Sequence, residues 1–387
     1  MRSHGHRTNA QAPSELLLSL VVPTRERAQT LAFTLATALD QHSLDYEVVV
    51  SDNASTDDTR AVVDRLDDER IRYFNTDQRL SMCGNYEFAL ERARGVYVIF
   101  IGDDDAVIPG ALDHLLSLLR AASQPTIHTW PLHIYDWPVD GKPARVAYLA
   151  PVRAQTELDL KAKARFVISM GSWKYYELPS PYHSAIPRQI LTAIRERTGR
   201  VFHSTQPDVF TAMAIPAFAD RAVNIGQTIT LNGRSAQSNG LGFIKRSALA
   251  NIERFIREYG DYQFHPTLYP GVAGPVNMIP DAALVARDLF PELYAGVAFN
   301  YSAMWAYVCR MRFISHADVM RMQFQIRHRH PFSLTAFLAL SAVHEMSVVR
   351  RKVLNRLTPL GELKVHTPDN IQEFVRTLAH RPAATPP

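Results

Sequence analysis

VYVIFIGDDDAVIPG, residues 96–110, decides how this chain is read. An apolar run, suited to a buried strand, ends in Gly102 and three consecutive aspartates, Asp103, Asp104 and Asp105. Adjacent like charges repel, so the cluster gains nothing from folding unless a positive partner sits among them. A hard divalent cation, Mg²⁺ or Mn²⁺, is one such partner. These ions prefer carboxylate oxygens and keep positions open for substrate phosphate. The bland alternative is a solvated acidic turn before a helix.

The flanking sequence gives the cluster a place in a fold. LLLSLVVP (16–23), YEVVVSD (46–52), IRYFN (71–75) and VYVIFIG (96–102) read as short strands. Between them, Leu31, Leu35 and Leu39 share one helical face, as do Val62, Val63 and Leu66, and then Tyr86, Ala89, Leu90 and Ala93. Ser55 or Thr56 suits the N-cap of the second helix, and Pro109 suits the start of the helix carrying Leu112, Leu115, Leu116 and Leu119. Strand–helix alternation of this length implies a parallel, Rossmann-like sheet with helices on both faces. Ligands bind such sheets beyond the carboxyl ends of the strands. That rule singles out Pro23, Thr24 and Arg25, then Asp52 and Asn53, then Asp103 to Asp105. No G-x-G-x-x-G follows the first strand and no G-x-x-x-x-G-K-[ST] occurs, which disfavours a dinucleotide dehydrogenase or a P-loop enzyme.

LSLVVPTRER (18–27), VVVSDNASTDDT (48–59) and VYVIFIGDDDAVIPGAL (96–112), in this order and spacing, resemble the nucleotide-sugar-binding half of family 2 glycosyltransferases with the GT-A fold. The resemblance covers about 18–120, and the GDDD spelling is similar to that of bacterial surface-polysaccharide transferases. It implies that Pro23, Thr24 and Arg25 lie along the nucleoside. It implies that Asp52 accepts from the base with Asn53 beside it, and that Asp103 to Asp105 stand for the DxD metal motif, with Mn²⁺ or Mg²⁺ as cofactor. The family often writes D-x-D-D, and here the first position is Gly102. Counting back from Pro109 makes Asp104 the best match to the metal-contacting acid, with Asp103 and Asp105 as its neighbours. In RLSMCGNYEFAL (79–90), Arg79 is placed near the donor phosphates, and Ser81 and Asn85 are sugar contacts or loop caps.

Inverting transfer also needs a base for the acceptor hydroxyl. In the family this is an Asp or Glu about a hundred residues beyond the metal motif. Glu177, Glu196, Asp208 and Asp220 are the candidates. Asp208 is preferred because it follows Pro207 and precedes the helical stretch 209–214; an N-cap is its rival role and Asp220 is the fallback. GSWKYYELPSPYHSAIPRQIL (171–191) is rich in aromatics suited to sugar rings or to packing. His183 and His203 are ligands, bases or structural residues. GRSAQSNG (233–240) is a donor lid or a surface turn.

This reading divides the chain into a lead-in (1–14), a GT-A domain (15–245, donor half 15–125 and acceptor half 126–245), a mainly helical region (246–380) and a tail (381–387). Within the third part, 266–280 reads as a Pro- and Gly-rich loop. Residues 246–387 hold 16 Lys+Arg against 11 Asp+Glu, and 310–356 hold nine against two. Peripheral contact with an anionic membrane follows as an expectation. The apolar segment 332–349 is interrupted by His344 and Glu345 and reads as a buried or surface-lying helix. Two cysteines and no apolar leader suggest the cytoplasm, with a peripheral position at the inner face of the membrane. The expected partners are a nucleoside-diphosphate sugar and a glycan or lipid-linked acceptor, and no nucleic-acid module accompanies the basic residues. A nucleotidyltransferase would want glycines after the first strand, which VVPTRERAQT lacks. A non-catalytic sugar-nucleotide-binding subunit is the other rival.

Overall fold

The computed structural model describes residues 16–139, 141–238, 254–260, 262–269, 275–310, 314–327, 331–357 and 368–379. The lead-in, the tail, positions 239–240 of the lid loop and 328–330 of IRHRHP lie outside the described residues.

The strand–helix alternation builds the expected sheet. β1 (Leu18–Thr24), β2 (Tyr46–Asp52), β3 (Ile71–Asn75) and β4 (Tyr97–Phe100) are parallel, in the spatial order β3-β2-β1-β4. Successive strand side chains point to opposite faces. Val21, Val49, Val98 and Phe100 therefore pack with α3 (Met82–Leu90). Leu20, Val22, Val48, Val50 and Ile99 pack with α1 (Ala28–Leu39) and α4 (Ala111–Ala121). Burial on both faces explains the unbroken apolar runs. The register sets Thr24 opposite Asp52, and Asp52 opposite Asn75, so the polar strand ends form one rim.

Two helix starts differ from expectation. α2 (Thr59–Asp64) begins beyond Ser55 and Thr56, neither of which caps it. Ser55 Oγ accepts from the Glu26 amide at 2.8 Å, and Asp57 Oδ2 accepts from the Ala28 amide at 2.9 Å. Ser55 and Asp57 thus satisfy orphan amides of the turn into α1, and Asp57 Oδ1 also accepts from the Thr59 amide, the first of α2, at 3.1 Å. α4 begins at Ala111, after Gly110 at φ 72°, not at Pro109. Ser81 caps α3 by accepting from the Gly84 amide at 3.1 Å.

Beyond β4 the sheet continues through β10 (Ser184–Pro187), β6 (Ile127–Thr129), β11 (Arg221–Asn224) and β9 (Thr156–Asp159), with β10 antiparallel to both neighbours. The three aspartates lead into β5 (Ala106–Val107), which belongs to a second sheet ordered β5, β12 (Thr230–Arg234), β7 (Ile134–Asp136), β8 (Arg145–Tyr148). The acids thus sit at the junction of two sheets. At that junction a Cβ on Gly233 would lie 1.7 Å from the Asp104 carbonyl oxygen, so no larger residue fits there.

α5 (Leu160–Ser169), α6 (Arg188–Thr198) and α7 (Pro207–Ala214) complete the first part. α8 (Pro275–Leu289) packs on α7. It corrects the reading of 266–280 as loop: Pro275 opens the helix, and Pro280 lies inside it at the expense of one helical bond. α9 (Tyr301–Arg310), α10 (His316–Ile326) and α11 (Leu334–Leu357) follow. Phe290, Met304 and Trp305 share one apolar cluster with Val21 and Phe100, so this helical region is continuous with the core of the sheet. α12 (Ile371–Ala379) returns to pack on α1 and β5.

Candidate active site

The acid cluster is buried, and each member has a different set of partners. Asp105 is consumed by the fold. Its Oδ1 accepts from the Gly233 amide at 2.7 Å, and its Oδ2 accepts from the Gly102 amide and from Tyr182 Oη at 2.9 Å. His183 Nε2 stands 3.1 Å from the same Oδ2 without a hydrogen-bonding angle. Asp104 Oδ2 accepts from the Ser235 amide at 3.0 Å, from Ser235 Oγ at 2.7 Å and from Ser238 Oγ. Asp103 Oδ2 accepts from Thr24 Oγ1 at 2.7 Å and from the Arg25 amide at 3.4 Å.

The positive partner among the described residues is Arg27. Its Nη1 lies 2.7 Å from Asp103 Oδ1 and 3.8 Å from Asp104 Oδ1, and its Nη2 donates to the Gln237 carbonyl. Burial works against the guanidinium charge, but Asp103 and Asp104 outweigh it and keep the group protonated above its ordinary range. Burial, opposed by Arg27 and reinforced by Asp105 and Asp103, pushes Asp104 up to about 6. A turn at Glu26, with φ 54°, aims Arg27 inward and is held by Ser55 and Thr56. The sequence signal for Arg27 was the second arginine of PTRER, two residues beyond Arg25.

Among the described residues no three acid, His or Cys ligands converge on one point. The cluster nonetheless fits a cation carried in with a substrate. Two carboxylate Oδ1 atoms, of Asp103 and Asp104, already turn toward one positive centre. Mg²⁺-type ions commonly take one or two carboxylates and complete their shell with phosphate and water. Asp105 has no oxygen to spare for such an ion.

The donor-side residues fall into two groups. Arg25 and Arg79 come together around Glu258. Arg25 Nη1 donates to both Glu258 oxygens at 2.9 and 2.8 Å, and Arg79 Nε lies 3.2 Å from Oε1. Glu258 was not singled out in the sequence, because it lies far along the chain in a segment that reads only as helical. Asp52 lies at the rim, with Oδ2 accepting from Tyr73 Oη at 2.6 Å and Oδ1 from the Ser55 amide at 3.0 Å. Pro23 lies within β1 opposite Ser51. Asn53 ties down the following loop, exchanging two hydrogen bonds of 2.8 Å with the Leu80 backbone. Asn85 is buried against Ser51 Oγ at 2.6 Å and anchors α3 to β2.

On the other wall, Asp208 sits in the first turn of α7, where Gln206 is the N-cap. Asp208 Oδ1 is buried with no hydrogen-bond partner. Burial raises its carboxyl, against the opposing pull of backbone amides and of His183. Tyr86, stacked on Phe100 at 4.7 Å, feels burial first and then the charges of Asp208, Asp105 and Asp103, which hold its phenol far above the ordinary range. The other candidate bases are engaged elsewhere. Glu177 pairs with Lys163 and Lys174, Glu196 is exposed on α6, and the fallback Asp220 is a surface partner of Lys161. His183 Nδ1 is 2.8 Å from Thr230 Oγ1, and His203 Nε2 is 2.9 Å from Thr198 Oγ1.

A parallel sheet whose strand ends carry these acids, continued by antiparallel strands and a second small sheet, is a GT-A fold. Residues 19–173 match Glycosyl transferase family 2, and this part of the chain is a domain of that family. The segment is similar to a GalNAc(5)-diNAcBac-PP-undecaprenol beta-1,3-glucosyltransferase of Campylobacter jejuni, 40% identical over 102 residues, covering 26% of this chain and 33% of the relative. It is also similar to the Escherichia coli UDP-Glc:alpha-D-GlcNAc-diphosphoundecaprenol beta-1,3-glucosyltransferase WfgD, at 27% identity over 105 residues, covering 27% of this chain and 42% of the relative. The chain spans a third to two fifths of the length of these relatives. The solved structure of S. aureus TarS 1-349 in complex with UDP-GlcNAc shares the fold, with a TM-score of 0.50 at 12% identity over 81% of this chain and 82% of that one.

Glu258 occupies the cations that an anionic donor would need. Glu258→Gln should therefore tighten binding of a nucleoside diphosphate such as UDP by about tenfold, the scale of one charge-assisted hydrogen bond. Titration calorimetry at low salt reads this directly. Unchanged or weaker binding would make Glu258 a support for the nucleotide instead of a competitor.

Proposed function

We propose that this chain is a glycosyltransferase that moves a sugar from a nucleoside-diphosphate sugar to a hydroxyl of a lipid-linked glycan, with inversion and with help from a divalent cation. The observation that carries this reading is Asp208, buried at the start of α7 with its Oδ1 unpartnered, in a fold whose strand ends carry the Asp103–Asp104 pair. The relatives' names, with their undecaprenol-linked acceptors and UDP-glucose donor, support the substrate classes.

In this reading Arg25 and Arg79 leave Glu258 and hold the donor diphosphate. Asp103 and Asp104 hold the cation, Mn²⁺ or Mg²⁺, which when bound offsets negative charge on the departing diphosphate. Asp105 keeps the GDDD turn rigid through Gly233 and Tyr182. Asp208 takes the acceptor hydroxyl proton as the oxygen attacks the anomeric carbon from the side opposite the leaving group. Burial raises its basicity, which suits that task near neutral pH. The setting is the cytoplasm at the inner face of a membrane. Both described cysteines are free and buried, and no helix among the described residues is long and apolar enough to cross a bilayer.

A second reading, a sugar-nucleotide-binding subunit without catalysis, draws support from the internal pairing of Arg25, Arg27 and Arg79 with acids of the chain itself. Release of sugar from UDP-glucose and UDP-GlcNAc onto undecaprenyl-diphosphate-linked acceptors separates the two. Transfer that needs Asp208 upholds the enzyme. Nucleotide binding without transfer to any acceptor favours the subunit.

A further inference from the structure

α11 is apolar on both sides. Phe337, Ser341 and His344 lie on its buried stripe, which packs on α9. At about 100° per residue, Leu334, Leu338, Val349, Met346 and Val343 spread over about 180° on the opposite side. All five are exposed, Met346 by 63%, Val349 by 59% and Leu338 by 54%. Ala339 and Ala342 fall within the same arc, and Glu345 is the acid that shares it. A helix that is apolar all round normally has both faces covered. Among the described residues nothing covers the outer one.

Positive charge lies at the C-terminal end of α11 and on α10, the helix that precedes it in the chain. Phe324 of α10 is 72% exposed, with the Arg327 guanidinium 5.1 Å above its ring. Arg321 and Arg350 are also exposed. By sequence the helix continues into Arg351 and Lys352, within the segment that holds nine basic residues against two acidic ones. An apolar arc edged by arginines and too short of apolar length to span is the pattern of a helix lying in the headgroup region. A second copy of the chain would set these cations against one another, whereas an anionic bilayer complements them.

We propose that the outer face of α11 docks flat on an anionic lipid bilayer. Leu334, Leu338, Val343, Met346 and Val349 enter the acyl boundary, Arg350 of the same helix meets the phosphates, and Arg321 of α10 and Arg327 at its C-cap add to the positive charge that draws the chain to the surface. The inference goes beyond the transfer reaction and stands independently of it. It adds an apolar contact to the charge that the sequence alone displays.

The test is vesicle flotation of the full-length protein. Vesicles of phosphatidylcholine alone are compared with phosphatidylcholine–phosphatidylglycerol vesicles, at low and high salt. The wild type should float with anionic vesicles about tenfold better than with neutral ones, and should retain part of that binding in high salt. Leu338→Ser with Met346→Ser, both at exposed positions, should lose the salt-resistant part while circular dichroism and UDP binding stay unchanged. Arg327→Glu with Arg350→Glu should lose the preference for anionic lipid. The proposal is overturned if the wild type binds no vesicles, or if the double serine variant floats as well as the wild type. It is also overturned if that variant instead converts a dimer to a monomer in light scattering, which would show that a second copy covers the face.

Discussion

Asp208→Asn is expected to lower kcat by about 10²–10⁴-fold, the usual contribution of a positioned general base. Affinity for UDP or the sugar nucleotide should hold, since Arg25 and Arg79 pair with Glu258 and not with Asp208. The substitution keeps the shape of the side chain and removes only its capacity to take a proton. Asp208 Oδ1 has no partner to lose, so the fold should tolerate the change. The pH profile supplies a second readout. Burial raises the Asp208 carboxyl, so the acidic limb of kcat/KM should lie above the ordinary carboxylate range. Activity rises as this group loses its proton, and in Asp208→Asn that limb should vanish. A variant that transfers sugar at the wild-type rate would remove the base assignment, and with it the observation on which the enzyme reading rests.

Arg27→Met should cost about 3–5 kcal/mol of unfolding free energy in EDTA, the usual penalty for removing one partner of a buried pair. Asp103 and Asp104 would then face each other without a counter-charge. Adding Mn²⁺ should recover much of the loss, because the two Oδ1 atoms that now address Nη1 would address the ion. Denaturant unfolding with Mn²⁺ or with EDTA, on wild type and variant, measures both parts. In the wild type the metal should stabilise less, since Arg27 already stands between the carboxylates. If the variant loses stability and the metal restores none of it, Asp103 and Asp104 are not metal ligands and the guanidinium is the permanent cation of this site.

The sequence showed the strands and the rim because both depend on local pattern. Apolar runs buried on two faces announce β1, β2 and β4, and the polar residue ending each run is forced to the same edge by the parallel register. The pairing of the aspartates was another matter. Three identical side chains in a row give no sign that Asp105 will be spent on Tyr182 and Gly233, 77 and 128 residues away. Nor do they show that Asp104 will be held by Ser235 and Ser238. Likewise, Asn53 and Asn85 have the composition of contacts but are used as ties, because their loops had backbone and hydroxyl groups to satisfy. Ser55 looked like the cap of its own helix and instead accepts from the Glu26 amide at the turn into α1. In each case the deciding partner comes from a different element, so spacing along the chain carries no trace of it. Asp208 was placed on its helix start from Pro207 and the helical stretch that follows, and what could not be read was that one oxygen would be left without a partner.

The last described helix, α12, has a consequence for how the protein is made. It packs on α1 and β5, Phe374 stacks on Tyr135 at 5.4 Å, and the Pro368 carbonyl accepts from Tyr135 Oη at 2.7 Å. The flank of the second sheet around Tyr135, Trp137 and Leu231 is thus covered by a segment far along the chain, Pro368 lying 233 residues beyond Tyr135. Until that segment has been made, this apolar flank stays open. Contacts so distant in sequence also slow folding. A substitution that loosens α12 would therefore leave an otherwise folded sheet with this flank exposed to chaperones and proteases.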